Sequence, residues 1–356
     1  MRKSLLEKLR CPIDRNSLDL VITHQDSDGH IIDGHLQCQK CQQAYLVKQG
    51  VPNLLPPDKA LVDGNDLSHL QTSTIERFGY EWRYFRDWGW LTKLPDIPNA
   101  EEEFFGSLVE NTCRAFWSKS LFQPKDLYSG LIVLDAGCGN GRFTNQAAET
   151  EAEIIGIDLG YGVYSAFEHT RHLTNVHIVQ GDLFRLPFED KTFDRIFSIG
   201  VLMHTGNASA AFSSLVRTLR QNGLIVAHVY GKGKQSYELL DKVIRSITIR
   251  LPISGQLYFA RLTAKLARWL RSAGSRRSAL YKRLFSHINL LPTEHHMFDW
   301  WSAPVATHHT QDEVHKWFVE NKLEIIRTNP PRGDIPAERA RRYNHSAITV
   351  LGQKID

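Results

Sequence analysis

The chain has no run of eighteen apolar residues, so nothing in it reads as a transmembrane helix. Residues 1–10 are charged and lack the apolar core of a secretory signal. Cysteine is scarce, five in 356 residues, which argues against a disulfide framework and leaves a reducing cytoplasm as the simplest setting. There is no internal repeat and no low-complexity tract, which excludes a repeat architecture. Acidic residues are nearly missing from one stretch. Residues 232–283 carry thirteen Lys/Arg against Glu238 and Asp241, although the whole chain is only +4. A mildly acidic body therefore carries one basic insert, and that asymmetry says more about partners than the net charge does.

The apolar fraction, 42%, is ordinary for a chain that buries a sizeable core. Residues 1–57 hold three of the five cysteines and end in a proline-rich stop, and they form the first expected domain. Residues 58–130 form an aromatic-rich, helical preface, with Phe78, Tyr80, Trp82, Tyr84, Phe85, Trp88 and Trp90. Residues 131–356 are the main expected domain. Within it, 131–233 alternates strand-like apolar runs with helical segments, the pattern of a parallel α/β sheet. A helical insert covers 232–293, followed by a loop rich in His and Trp and a helix near 312–321. Strand candidates at 323–327 and 347–352 are expected to pair as an antiparallel hairpin completing a seven-stranded, mostly parallel sheet.

The run 131–134 is continuously apolar, as a strand buried on both faces requires. It leads into Asp135-Ala136-Gly137-Cys138-Gly139-Asn140-Gly141, with a helix expected from about Arg142. Glycines at alternate positions permit a tight strand-to-helix turn and close approach of a ligand, and free amides at the helix start favour a carboxylate. Alone, such a loop is also compatible with a dinucleotide fingerprint or a plain turn. A second strand run, 154–157, ends at Asp158, placed to accept ribose hydroxyls. A third, 176–179, leads into Gly181-Asp182-Leu183 and Leu186-Pro187-Phe188, where Asp182 could accept from an adenine amino group. Then come Phe193-Asp194-Arg195-Ile196-Phe197-Ser198-Ile199-Gly200 and the turn Gln221-Asn222-Gly223 before a fifth strand.

In this order the pieces resemble the class I S-adenosylmethionine (SAM)-dependent methyltransferases, above all the ubiquinone/menaquinone-biosynthesis-like branch. The resemblance covers about a hundred residues. One departure is Gln221-Asn222, where the family often has a basic residue followed by proline. The implied fold is α/β, a Rossmann-like seven-stranded methyltransferase sheet, with a small N-terminal β-rich domain and a helical insert. By the same resemblance, Asp135, Gly137, Gly139 and Gly141 shape the methionine end of the SAM site. Asp158 and Leu159 hold the ribose, Asp182 and Leu183 the adenine, and Ile199 and Gly200 line the floor. A nicotinamide enzyme needs neither Asp135 nor Asp182.

Methyl transfer needs alignment of nucleophile, methyl and sulfur, and removal of a proton where the acceptor carries one. The Asn/Asp-Pro-Pro-aromatic stretch of base-amine methylation is absent after strand four, which reads Ser198-Ile199-Gly200-Val201, and Asn329-Pro330-Pro331 lies too far downstream. Cys113 and Cys138 read as packed thiols rather than nucleophiles. These absences favour O- or N-methylation over carbon methylation. His204 follows strand four directly and is the leading base candidate, with a structural histidine as the plain alternative. Asp299, in Phe298-Asp299-Trp300-Trp301, is the second catalytic candidate. His295, His296, His308 and His309 are weaker ones, and His228 reads as a core histidine.

Cys11-Pro12-Ile13-Asp14 and Cys38-Gln39-Lys40-Cys41 have the spacing of two metal-binding knuckles. With residues 44–55, the segment resembles the small zinc-ribbon activator subunit of tRNA, ribosomal RNA and release-factor methyltransferases. The resemblance implies a structural zinc on Cys11, Asp14, Cys38 and Cys41, with His35 as an alternative fourth donor. A ribbon that has lost its metal is the competing reading.

The insert's apolar residues recur at helical spacing: Leu239, Leu240, Val243, Ile244 and Ile247, then Tyr258, Leu262, Leu266 and Trp269. Arg261, Lys265 and Arg268 form a basic stripe beside the second set. The expected role is a lid over a small-molecule or lipid-linked, anionic biosynthetic substrate, with a membrane-surface helix as a further partner reading. The rival functions are an RNA methyltransferase with a zinc-ribbon recognition module and a catalytically inactive binding protein of the same fold. Nothing in the residues indicates an oligomeric state.

Overall fold

The computed structural model describes residues 1–56, 67–90, 108–232, 235–271, 279–281, 284–285, 292–329 and 347–355. Parts of the expected preface and insert, and Pro330-Pro331, lie outside the described residues. The first 56 residues form a four-stranded antiparallel meander in the order β1-β2-β3-β4, made of Leu18–Gln25, Ile31–Cys38, Ala44–Lys48 and Val51–Pro52. Two helices follow, α1 (Leu67–Tyr84) and α2 (Leu108–Ser120).

The main sheet has seven strands. Chain order runs β5 (Ile132–Ala136), α3 (Arg142–Ala148), β6 (Glu153–Asp158), α4 (Gly162–Thr170), β7 (Val176–Gln180), β8 (Phe193–Ile199), α5 (Ala208–Thr218) and β9 (Leu219–Tyr230). Helices α6 (Gln235–Thr248), α7 (Ile253–Arg271), α8 (Glu294–Ser302) and α9 (Gln311–Glu320) precede β10 (Leu323–Asn329) and β11 (Ala347–Lys354). Spatial order is β10-β11-β9-β8-β5-β6-β7. The pairs among β5 to β9 are parallel, while β11 runs antiparallel to both β9 and β10, so the expected hairpin is present. Every residue of β7 is buried, β5 is buried but for its first position and β6 but for its first and last, which is why they read as unbroken apolar runs. Helix α9 starts where expected because Thr310 and Glu313 form a reciprocal capping box.

The N-terminal meander and the main sheet share an interior. Leu5, Leu9, Leu36, Tyr45 and Leu54 pack in one cluster with Ile157, Val179 and Phe188. Backbone bonds seal the contact: Leu54 N–H donates to the Gln180 carbonyl at 2.8 Å, and Arg10 N–H to that of Pro187 at 2.9 Å. Lys8 pairs with Glu153 at 2.9 Å across the same seam.

The insert differs from its expected role. Helix α7 buries Leu257, Ala260, Ala264, Ala267 and Leu270 against Phe298, Trp300 and Trp301 of α8. The larger residues Tyr258, Leu262 and Leu266 face outward instead. Alanines win the inner face because bulky indoles on α8 need a hollow, and small residues let the two helices approach. Among the described residues no helix is long and apolar enough to cross a membrane.

Candidate active site

The ends of the parallel strands open onto one cavity of about 390 Å³, within the range that takes a small molecule. The glycine-bearing loop after β5 forms one wall. Gly137 and Cys138 N–H both donate to the Ile157 carbonyl, at 2.8 and 3.0 Å, which pins the loop to the tip of β6. Gly137 has φ +94°, and an added Cβ would come within 2.2 Å of Val201, so only glycine fits. Asp158 Oδ2 accepts from Gly139 N–H at 3.0 Å and Oδ1 from Gly160 N–H at 2.8 Å. Burial raises its pKa, and those two donors oppose the shift. Asp182 is likewise raised by burial, with one oxygen on Phe184 N–H at 3.0 Å.

Eight of the ten residues expected at the nucleotide side line this cavity: Gly137, Gly139, Asp158, Leu159, Asp182, Leu183, Ile199 and Gly200. Asp135 and Gly141 stand behind the lining. Asp135 accepts from Thr144 Oγ1 at 2.7 Å, tying β5 to α3, and burial pushes its carboxyl up to about 7. Gly141 is the left-handed residue that starts α3. The cavity fits SAM by its acceptors: two carboxylates with oxygen lone pairs to spare, and at Gly200 an open space with no atom within 4 Å of a would-be Cβ.

The opposite wall comes from the aromatic preface and α8. Thr74, Phe78 and Trp82 reach in from α1, and His295, His296, Asp299 and Trp300 from α8. Trp82 lies against Gly139, whose added Cβ would meet the ring at 3.0 Å. Asn140 Nδ2 donates to the carbonyls of Arg86 and Trp88, at 3.0 and 2.8 Å, and so holds the preface onto the glycine loop. Among the described residues, none of the insert 232–293 lines the cavity, and neither Arg261, Lys265 nor Arg268 is in its wall. Arg261 pairs with Glu294 at 2.8 Å, and Arg268 donates to the Pro292 carbonyl at 3.3 Å. The described helices of the insert pack behind α8, which puts the basic stripe outside the described lining.

Both catalytic candidates line the cavity. His204 donates from Nδ1 to the Val305 carbonyl at 2.5 Å, which leaves Nε2 as an acceptor. Burial lowers its pKa to about 4. Asp299 is raised by burial, against Arg142, Arg245 and Lys119, which pull it down. Of the other histidines, His308 packs on Tyr230 and His309 bonds Thr307, both outside the lining. His228 lines its deep end and pairs with Thr349 Oγ1 at 2.7 Å.

A buried charged group escaped the sequence reading. Lys119 and Arg142 line the cavity, with burial lowering the pKa of both, Lys119 to about 8. Glu81, fully buried, lies 3.1 Å from His295 Nε2. Burial raises Glu81 well above the usual carboxylate range and holds His295 well below the usual imidazole range. Burial thus disfavours the charged form of both, and among the described residues neither finds an aligned hydrogen-bond partner. The only available signal was that Glu81 interrupts a run of aromatics.

The second site is in the meander. Donor atoms of Cys11, Asp14, Cys38 and Cys41 lie within 4.8 Å of one another. Cys11 Sγ and Cys41 Sγ are 3.6 Å apart, and Cys38 Sγ is 3.4 Å from Asp14 Oδ1. Tetrahedral zinc with its usual bond lengths puts sulfurs about 3.8 Å apart, and sulfur and oxygen about 3.5 Å. The four donors fit a zinc ion, and His35 is not among them.

Residues 134–227 match the methyltransferase domain family and residues 2–50 the Trm112p-like protein family. The demethylmenaquinone methyltransferase of Staphylococcus haemolyticus is 29% identical over 152 residues, 40% of this chain and 61% of that protein. The enzyme of the same name from Staphylococcus aureus is 30% identical, over 40% of this chain and 60% of its own length. The chain thus spans about three fifths of the length of these curated relatives. Among solved structures, a chain of the complex between the Haloferax volcanii Trm112 methyltransferase activator and a methyltransferase aligns with TM-score 0.42 and 14% identity. That alignment covers 69% of this chain and 93% of the other.

Proposed function

From a methyltransferase domain at residues 134–227 and the cavity at its strand ends, we propose that this chain moves a methyl group from SAM to a small-molecule, lipid-linked substrate. The observation that carries the proposal is one cavity with two unlike walls. One wall holds carboxylates suited to a nucleoside, and the other holds aromatics and buried titratable groups suited to an acceptor.

SAM, when bound, supplies an electrophilic methyl on a sulfonium. Asp158 and Leu159 take the ribose side, Asp182 and Leu183 the adenine side, and Gly137 and Gly139 let the backbone come close. Phe78 and Trp82 present aromatic faces that favour a positive centre. On the acceptor side His204 is a weak base, since its pKa is held near 4; its free Nε2 serves to orient an acceptor O–H or N–H. Asp299, raised by burial and facing cationic neighbours, is the better proton acceptor. Oxygen or nitrogen methylation follows as the preferred reaction. Residues 1–56 act as a zinc-bearing unit fixed to the sheet.

The test is incubation with methyl-labelled SAM and fractionated cell extract, with demethylmenaquinone as a separate acceptor. Label entering the lipid or small-molecule fraction at oxygen or nitrogen is the expected result. Label in RNA would replace this reading with the RNA one, and label on a ring carbon would remove the oxygen or nitrogen preference. A chain that does not bind SAM is a binding protein only.

A further inference from the structure

Helices α6 and α7 hold α8 with their inner faces, so their outer faces turn away from the cavity. Both outer faces are apolar. On α6, Leu239, Val243 and Ile247 recur every fourth residue with 64%, 52% and 60% of their surface exposed. On α7, Tyr258, Leu262 and Leu266 do the same, with 64%, 47% and 46% exposed. At 100° per residue each set forms one stripe along its helix. Single exposed apolar residues need no explanation, but two regular stripes on successive helices do.

Among the described side chains the charges beside them have one sign, with Glu238 of α6 outside that set. Lys242 and Arg250 border the α6 stripe, and Lys265, Arg261 and Arg268 lie along one flank of the α7 stripe. Helix α7 contains no acidic residue. Asp241 of α6 is buried, with its Oδ1 accepting from Trp301 Nε1 at 3.1 Å. Arg261 is answered by Glu294, which leaves the other four as a cationic fringe.

We propose that the outer faces of α6 and α7 dock on an anionic phospholipid surface. The apolar stripes enter the headgroup boundary while the long basic side chains reach up to phosphates. The anionic lipid is chosen over a second copy of this chain by charge complementarity, since two such basic faces would repel one another. The arrangement agrees with a lipid-linked substrate but does not depend on methyl transfer, and it is tested without SAM.

The full chain is mixed with vesicles of phosphatidylcholine alone or of phosphatidylcholine and phosphatidylglycerol in equal parts, and floated on a density gradient. The triple variants L239S/V243S/I247S and Y258S/L262S/L266S, and the charge variant K242E/K265E, are run alongside, with thermal melting as the check on folding. Wild type is expected to float with the mixed vesicles at least about tenfold better than with the neutral ones, with binding falling as salt shortens the screening length. Each folded variant should lose on the order of tenfold or more. Wild type that fails to float overturns the proposal. So does floating that the folded variants retain, which would place the contact on another surface. Concentration-dependent self-association abolished by the serine variants, without floating, would assign the face to a second copy instead.

Discussion

Asp158→Ala separates two jobs of one carboxylate. The side chain accepts from Gly139 and Gly160 N–H at 3.0 and 2.8 Å and so braces the glycine loop. Alanine leaves two amides at the cavity wall without that partner, at about 1–3 kcal/mol each where water cannot reach them. Its second job is to accept from the ribose hydroxyls. Loss of those charge-assisted bonds costs about 1.5–3 kcal/mol of SAM binding, or about tenfold to a hundredfold in Kd. Asp158→Asn distinguishes the two. It keeps one acceptor oxygen but turns the other into a donor, so it should lose affinity while retaining more of the stability. Titration calorimetry reads the affinity and denaturant unfolding reads the stability. Wild-type SAM affinity in a folded Asp158→Ala protein would refute the ribose assignment, even if stability fell as expected.

Other consequences are equally direct. Chain purified without chelator should carry about one zinc by elemental analysis, and Cys38→Ser should lose it; a metal-free wild type would favour a ribbon kept for packing alone. His204 is held near 4 against an unfolded value of about 6.5, so the unfolded chain takes up the proton first. Its share of stability is full above about pH 6.5 and is lost as pH falls toward 4, by about 3 kcal/mol. His204→Gln should flatten that limb of a stability–pH profile, and an unchanged profile would mean that the imidazole is not held neutral. Gly139→Ala faces a left-handed φ of 54° and a Trp82 ring 3.0 Å from its new Cβ. It should cost about 1–2 kcal/mol in unfolding measurements and weaken SAM binding by displacing Trp82, while a neutral result would discount the tryptophan as part of the wall.

The central strands were legible because burial on both faces leaves a continuous apolar run, and the glycine loop because a left-handed turn beside Val201 admits little else. The candidate metal cluster was legible from spacing, and the folded chain gathers Asp14 rather than His35 with Cys11, Cys38 and Cys41. The insert misled because large apolar residues at helical spacing are usually the packed face. Here Ala260, Ala264 and Ala267 are packed, since the indoles of Trp300 and Trp301 supply the bulk. The acceptor wall was the least legible part. Lys119, Arg142 and Glu81 sit on helices where a charged residue ordinarily reads as surface, and only tertiary packing turns them inward.

Leu54, at the end of the N-terminal meander, lies along Gln180 of β7, the last strand on that side of the sheet. An outer strand left bare is a template for foreign chains, and here the N-terminal meander bridges the end of it through Asn53 and Gln180. Deleting residues 1–56 would therefore not release a trimmed catalytic half. It would strip the apolar wall around Ile157, Val179 and Phe188 and unblock a ready-made aggregation edge. A truncated chain is expected in the pellet rather than the supernatant, and the first segment serves its neighbour as a built-in solubility guard whatever becomes of its metal.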